Sequence, residues 1–279
     1  MDNKSEIVSK SNDQSVKSCC ADVYQSDWAR LLLGDSFHPG GTALTEYLGT
    51  LLQLGPGQRV LDVAAGQGTS AIHLAQRFGC TVLGIEYSSL AVERANQAAQ
   101  TANVAHLVTF EQGDAERLPV PAASFDVVLC ECAFCTFPNK AVAASEFRRV
   151  LKAGGRVGLS DLTRMGEVPE ELQGLLAWIA CIADAQPIEN YERYLSATGL
   201  SIQRVEQHNE ALSELVREIQ GKLLGTELLV KLKKLHLPDE IDFAQAKTMV
   251  KAASTAIQAQ RFGYAIVTAE LQAETVSMR

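Results

Sequence analysis

The chain has 279 residues, of which 47% are hydrophobic, so it can form one large domain with a sizeable core. Its formal net charge of −8 argues against a general nucleic-acid binder, which would present a basic surface. No apolar run approaches the roughly 20 residues of a membrane span, and residues 1–18 lack the hydrophobic stretch of a secretory signal. We therefore expect a cytoplasmic protein with no nucleic-acid or membrane partner.

The N-terminal part of the chain is expected to be a disordered polar tail, residues 1–18, and then a helical lid, residues 19–57. Apolar residues of 43–54 recur at helical spacing, and Thr42 is the predicted cap of that helix. We expect the lid to lie across the mouth of a sheet. His38 could contact a ligand there, although a role in ordering its own loop is the simpler interpretation.

The segment VLDVAAGQG, residues 60–68, has the pattern of a buried strand that ends on a turn of small residues. A ligand can lie against the bare backbone of such a turn. The next segment, 69–78, is predicted to be a helix, and its first N–H groups would point toward the same place. This is the usual ligand crevice of an open α/β sheet, so we predict a nucleotide site here.

The later segments continue an alternation of strands and helices, which predicts a doubly wound, mostly parallel sheet of seven strands. The last predicted strand has no helix after it, so we expect it to insert antiparallel beside the sixth. The predicted strands after the first are 81–86, 107–112, 124–132, 156–162, 201–207 and 263–271, and the helices are 90–102, 138–152, 170–182, 188–198 and 209–261, the last broken near Gly225 and Pro238.

Two acids follow predicted strands at the expected ligand edge. Glu86 ends the second strand, where a carboxylate can accept hydrogen bonds from both hydroxyls of a ribose. Asp114 follows the third strand, where it can reach the exocyclic amine of an adenine. The spacing of Gly66, Gly68 and Ala71 also fits a dinucleotide fingerprint. From these residues alone, NAD and S-adenosylmethionine (SAM) both stay open as cofactors.

The order of five motifs resembles the class I SAM-dependent methyltransferases, whose fold is Rossmann-like: VLDVAAGQG, GIEYS, GDAERLP, FDVVLCECAF and LKAGGRVGLSDL. The resemblance implies SAM rather than NAD, a SAM-binding core at 58–207, and a helical insertion with the final strand at 208–279. An NAD enzyme would need neither GDAERLP nor a glycine pair before the fifth strand. By this resemblance the cofactor-binding residues are Asp62, Ala64, Gly66, Gly68, Glu86, Tyr87, Asp114, Ala115 and Glu131.

Within the methyltransferases, the chain most resembles the arsenite methyltransferases, through CECAFCTFPNK and CIADAQPIENY. The resemblance implies that Cys132 and Cys181 hold trivalent arsenic, with Cys19 or Cys20 as a third thiol and with a thiol reductant as a further reactant. Thiolates suit such a soft centre. Its lone pair would attack the SAM methyl group without a base. No resident metal is expected, and Cys80 and Cys130 are expected in the core.

Two departures from the arsenite pattern keep a second hypothesis open. Glu131 stands where that family usually has asparagine, and the loop SFHPGG is not part of its pattern. The alternative is methylation of a small organic acceptor on oxygen, nitrogen or carbon. In that case Glu131 or His38 would be the candidate base, and the cysteines would be structural. A non-catalytic SAM-binding module is a third possibility.

Overall fold

The computed structural model describes residues 38–168, 170–172, 184–235 and 242–273. The predicted tail, residues 19–37 of the predicted lid and most of the predicted helix at 170–182 lie outside these ranges, so those predictions stay predictions. The strands of the described part are Arg59–Val63 (β1), Thr81–Glu86 (β2), Val108–Gln112 (β3), Phe125–Glu131 (β4), Leu151–Arg164 (β5), Leu200–Gln207 (β6) and Phe262–Leu271 (β7). Its α-helices are Gly41–Leu51 (α1), Thr69–Phe78 (α2), Ser89–Thr101 (α3), Lys140–Val150 (α4), Ile188–Ser196 (α5), Asn209–Lys231 (α6) and Phe243–Gln258 (α7).

The seven strands form one sheet in the order β3-β2-β1-β4-β5-β7-β6. β3, β2, β1, β4 and β5 are parallel, whereas β7 is antiparallel to both β5 and β6. This confirms the predicted doubly wound sheet and the antiparallel last strand. The antiparallel direction has a simple cause. β6 ends at the edge where α6 begins, and the chain returns through α7 to enter β7 from that same edge.

α1 packs on one face of the sheet beside α2. Gly158 of β5 makes room for it, because a Cβ added there would lie 2.6 Å from Leu52 Cδ1. Gly49 of α1 likewise allows α2 to approach closely, because a Cβ added at Gly49 would lie 2.6 Å from Phe78 Cε2. The predicted cap was wrong: the helix begins at Gly41, after Gly40 in a left-handed conformation with φ of 79°. Glycine adopts that conformation without strain, so no side-chain cap at Thr42 is needed to start the helix.

The predicted break at Gly225 was also wrong, because α6 runs without interruption from Asn209 to Lys231. A glycine in a helix costs only about 1 kcal/mol relative to alanine. The packing of α6 against α7 outweighs that cost, and Lys247 Nζ of α7 lies 3.0 Å from Glu227 Oε2 of α6. Pro238, the other predicted break, lies outside the described residues. None of the helices in the described part is long and apolar enough to cross a membrane.

Gly225→Ala is expected to raise the free energy of unfolding by about 0.5–1 kcal/mol, because alanine loses less backbone entropy in a helix. A Cβ at this position meets no atom within 4 Å. Urea denaturation monitored by circular dichroism measures the change. Gly263→Ala is the matched control and is expected to destabilise, since its Cβ would lie 2.6 Å from Asn209 Oδ1. A loss of stability in Gly225→Ala would contradict the continuous helix.

Candidate active site

The predicted cofactor residues all lie at the carboxyl ends of the adjacent strands β3, β2, β1 and β4. Parallel strands end at the same edge, so four segments that are far apart in sequence become one crevice. Asp62 is in β1, Glu86 ends β2 and Glu131 ends β4. The other residues stand on the connecting loops, which are Ala64, Gly66 and Gly68 after β1, Tyr87 after β2, and Asp114 and Ala115 after β3.

The loop between β1 and α2 turns through three left-handed residues, Ala64 at φ 60°, Gly66 at 55° and Gly68 at 80°. The Gly68 N–H donates to Ala65 O at 2.9 Å, which closes the turn. The ring of Phe110 lies directly beneath, where a Cβ on Gly68 would be 2.4 Å from its Cζ. The loop therefore presents backbone rather than side chains to a ligand, as the sequence predicted.

Asp62 is the most buried acid of this crevice, with 3% of its surface exposed. Its Oδ2 has no hydrogen-bond partner among the described residues, and the same is true of Gln67 Nε2. Burial, followed by the negative charges of Glu131 and Glu86, raises the pKa of Asp62 well above its usual range. A buried acceptor in a negative crevice fits a cationic ligand that carries N–H donors. The ammonium group of SAM provides both the charge and the donors, and its sulfonium group provides a second positive charge.

Glu86 connects β2 to the glycine loop. Its Oε2 accepts from the Gly66 N–H at 2.9 Å and its Oε1 from the Ser88 N–H at 3.0 Å. Burial raises the pKa of Glu86, although these hydrogen bonds oppose the change. The Gly113 N–H donates to Glu86 O at 2.9 Å, so the loop that carries Asp114 is held against the end of β2. Glu86 and Asp114 thus stand at the same edge of the sheet, and their contacts with a ribose and an adenine stay predictions.

A second group of polar side chains surrounds Glu131, whose side chain is 4% exposed. Thr45 Oγ1 of α1 donates to its two carboxylate oxygens at 3.2 and 3.0 Å. His38, itself 8% exposed, places Nε2 3.7 Å from Glu131 Oε2. The same Nε2 lies 3.3 Å from Thr45 Oγ1 and 3.4 Å from Ser70 Oγ, the second residue of α2. The imidazole and the carboxylate therefore form a buried pair beside the glycine loop.

Both ring nitrogens of His38 face oxygen atoms. Nδ1 lies 3.2 Å from Pro39 O, and a carbonyl oxygen can only accept a hydrogen bond. In the tautomer with the proton on Nδ1, the lone pair is on Nε2. Nε2 is the nitrogen that faces Glu131, so an imidazolium formed by protonation there would stand next to a carboxylate.

The described cysteines do not form a thiolate cluster. Cys80, Cys130 and Cys135 are buried with 0% exposure, which agrees with the core positions predicted for Cys80 and Cys130. Burial raises the pKa of Cys80 to about 11. Burial, followed by the nearby acids, raises that of Cys130 well above its usual range. At neutral pH both are therefore thiols, which are poor ligands for a soft ion.

Cys132 differs from these three because it is half-buried and directly follows β4. Its backbone is left-handed with φ of 51°, and its N–H donates to Ser160 O at 2.7 Å. Alternate side chains of a strand point to the same face, which would put Cys130 and Cys132 on one face of the sheet. Because Cys132 is left-handed, this alternation ends at Glu131. Cys19, Cys20 and Cys181, the other predicted catalytic residues, lie outside the described part of the chain. No group of three metal-binding side chains occurs among the residues that were described.

Sequence analysis missed five residues of the site, namely Thr45, Gln67, Ser70, Ser160 and Tyr264. Gln67 and Ser70 stand in or beside the glycine loop, and that position was the available signal. Thr45, Ser160 and Tyr264 come from α1, β5 and β7, and their side chains approach Glu131 only through helix packing and strand pairing. Nothing local in the sequence marks them.

A seven-stranded sheet with one antiparallel strand, a glycine loop after β1 and an acid at the end of β2 define a class I SAM-dependent methyltransferase domain. The family model described as "Methyltransferase domain" matches residues 54–218, which is more than half of the chain. The chain belongs to that family, and its cosubstrate is SAM.

Individual relatives cover different shares of the chain. The 27-O-demethylrifamycin SV methyltransferase of Amycolatopsis mediterranei is 42% identical over 120 residues, 43% of this chain and 44% of that protein. An arsenite methyltransferase of Halobacterium salinarum is 26% identical over 203 residues, 69% of this chain and 52% of that one. The chain thus spans about half the length of these curated relatives. The structure of Haemonchus contortus phosphoethanolamine N-methyltransferase 2 with SAM shares the fold, with a TM-score of 0.75, 19% identity, and coverage of 93% of this chain and 60% of that chain.

SAM affinity is expected to rise with pH, by up to about tenfold per pH unit while one carboxyl group titrates. The reason is that burial raises the pKa values of Asp62 and Glu86, and only their charged forms attract a cation. Isothermal titration calorimetry between about pH 5 and 8 measures the dependence. Asp62→Asn should flatten it, whereas Glu46→Gln, on the outer side of α1, should not.

The stability of the protein without SAM should change with pH in the opposite direction to the SAM affinity. Because the pKa of folded Asp62 is above its ordinary value of 3.8, the folded state holds a proton that the unfolded chain releases. The free energy of unfolding without SAM should therefore fall as the pH rises above that value. A SAM affinity that is independent of pH in the unmodified protein would contradict the assignment of these acids to the cofactor crevice.

Proposed function

We propose that this protein transfers the methyl group of SAM to a hydroxyl group of a small organic molecule, with His38 and Glu131 as the proton-accepting pair. The observation that carries the proposal is the buried pair itself. His38 Nε2 is 3.7 Å from Glu131 Oε2, beside the loop that begins α2. A hydroxyl nucleophile must lose a proton during methylation, and this pair can receive it.

The residues of the crevice divide into two groups in this proposal. Asp62, Glu86 and Asp114 hold the cofactor through its ammonium, ribose and adenine groups, with the backbone of the glycine loop beneath it. Ala64, Tyr87 and Ala115 line the same crevice. Glu131 stands between the two groups, because its charge acts on Asp62 and its carboxylate faces His38. The acceptor hydroxyl would then approach from the His38 side.

When bound, SAM supplies a methyl group on a positively charged sulfur that is already activated for transfer. The residues of the chain therefore have mainly to align the acceptor and exclude water. His38 Nε2 would receive the proton that the acceptor hydroxyl loses when it is methylated. Glu131 stabilises the imidazolium that results. Thr45 donates to Glu131 and keeps the carboxylate oriented toward the ring.

The relatives support an organic acceptor without selecting one. The Amycolatopsis relative is named as a 27-O-demethylrifamycin SV methyltransferase. A hydroxyl acceptor is consistent with a base in the site, whereas a lone pair on arsenic would need none. We expect a cytoplasmic enzyme with a small-molecule substrate.

Transfer of tritium-labelled methyl groups to a panel of acceptors tests the proposal. The panel contains 27-O-demethylrifamycin SV, simpler phenols and alcohols, and arsenite with a thiol reductant. We expect label in a hydroxyl acceptor, with a rate that depends on His38. Label in arsenite and in none of the hydroxyl compounds would contradict the proposal.

Methylation of trivalent arsenic is the second candidate function. Two observations favour it: the Halobacterium match covers 69% of this chain, and Cys132 is a half-buried thiol at the end of β4. Cys132→Ser should then abolish transfer to arsenite, and Cys135→Ser, in the buried 3₁₀ turn that follows, is the matched control. Under the hydroxyl proposal, Cys132→Ser should leave most of the activity.

A further inference from the structure

Two buried hydroxyl groups extend from Glu131 into the sheet, away from His38. Glu131 is paired with Ser160 of β5 in the strand register, and Ser160 Oγ donates to Glu131 Oε1 at 3.3 Å. The hydroxyl of Tyr264, on β7, lies 3.0 Å from Ser160 Oγ and 3.1 Å from Ser160 O. Ser160 and Tyr264 are both 0% exposed. Three strands therefore contribute one continuous line of hydrogen bonds that ends at the carboxylate.

The direction of these bonds follows from the number of protons. Glu131 as a carboxylate can only accept, so the single proton of Ser160 Oγ must point toward it. The Tyr264 hydroxyl is then the donor toward Ser160, whose Oγ and O lie 3.0 and 3.1 Å away. A hydroxyl that accepts one hydrogen bond becomes a stronger donor in the next. Together with Thr45 on the opposite side, these donors hold the carboxylate in one orientation.

Given the proposed function, we infer that Ser160 and Tyr264 are positioning residues of the methyltransferase reaction. They hold the Glu131 carboxylate in the orientation that faces His38, and they influence methyl transfer only through that carboxylate. Neither side chain forms a hydrogen bond with Nε2 of His38. Their place in the interior of the sheet, rather than in a loop, makes that orientation rigid before any ligand binds.

A second buried tyrosine provides an internal comparison. Tyr191 is 1% exposed, and its hydroxyl donates to Leu162 O of β5 at 2.9 Å, two residues beyond Ser160. Both tyrosines thus fill the interior and donate to the backbone of the same strand. The Tyr191 oxygen accepts from the Gln186 N–H at 3.0 Å, whereas the Tyr264 oxygen lies 3.0 Å from a side-chain hydroxyl that itself donates to an acid.

The experiment compares Tyr264→Phe and Ser160→Ala with Tyr191→Phe as the control. We expect kcat to fall about 3- to 10-fold in the first two, the range that one neutral hydrogen bond represents in a rate. The KM for SAM should not change, because the cofactor contacts are untouched. Tyr191→Phe should lower the melting temperature to a similar extent but leave kcat unchanged.

A double-mutant cycle with Glu131→Gln then distinguishes the positioning role of Ser160 and Tyr264 from the proposed function itself. If Ser160 and Tyr264 act through the carboxylate, their replacement lowers kcat no further in the Glu131→Gln background. If the losses of kcat from Glu131→Gln and from Ser160→Ala or Tyr264→Phe multiply, the residues act independently and the inference is overturned. The inference is also overturned if kcat is unchanged in Ser160→Ala and in Tyr264→Phe while Glu131→Gln lowers it. An unchanged kcat in Glu131→Gln would instead overturn the proposed function, and the inference with it.

Discussion

His38→Ala is expected to lower kcat by about 10²–10⁴-fold, the usual contribution of a positioned proton acceptor. The affinity for SAM should change little, because the ring lies beside Glu131, Thr45 and Ser70 rather than beside Glu86 and Asp114, the residues predicted to bind the ribose and the adenine. Stopped assays with labelled SAM give kcat, and calorimetry gives the affinity. Glu131→Gln should lower kcat in the same direction, since it removes the charge that stabilises the imidazolium.

His73→Ala is the control for His38→Ala. His73 is on α2, and its Nε2 lies 3.2 Å from Glu46 Oε2 on the outer side of the crevice, so kcat should not change. Added imidazole should restore part of the activity of His38→Ala if the missing group is a base. A variant that loses SAM affinity but keeps kcat would mean that His38 holds the cofactor instead.

Gly68→Ala is expected to destabilise the protein by about 2–5 kcal/mol and to weaken SAM binding at least about tenfold. The backbone at φ 80° contributes about 1–2 kcal/mol of strain for an alanine. Overpacking adds about 1–3 kcal/mol, because the new Cβ would lie 2.4 Å from Phe110 Cζ. Any displacement of the loop also moves the N–H groups that begin α2. Urea denaturation and SAM titration measure the two effects.

Gly66→Ala distinguishes the effect of backbone strain from the effect of a steric clash with Phe110. Gly66 is also left-handed, at φ 55°, but a Cβ there meets nothing within 4 Å. Only the strain of about 1–2 kcal/mol should appear. Phe110→Leu, which shortens the ring beneath the loop, should relieve part of the Gly68→Ala defect. Equal losses of stability in Gly66→Ala and Gly68→Ala would show that the contact with Phe110 does not matter.

Local sequence signals predicted most of the fold. The helix 69–78 has the predicted ends, because it starts after one left-handed glycine, Gly68, and stops at another, Gly79 with φ of 67°. The antiparallel direction of the last strand was predicted because no helix is predicted after it. The errors at Thr42 and Gly225 have a common cause, since caps and breaks depend on weak propensities of about 1 kcal/mol. Packing against other elements overrides energies of that size.

The amino-acid sequence by itself thus determined which residues stand at the carboxyl edge of the parallel strands, where the cofactor is predicted to bind. Asp62, the glycine loop, Glu86 and Asp114 each follow directly from a strand that the residue pattern already predicts. His38 and Glu131 were candidates from the sequence, but only the tertiary structure showed that they lie together, with Thr45, Ser160 and Tyr264 around them. Their contacts depend on the register between β4, β5 and β7 and on the position of α1, and such long-range pairing leaves no local pattern in the chain.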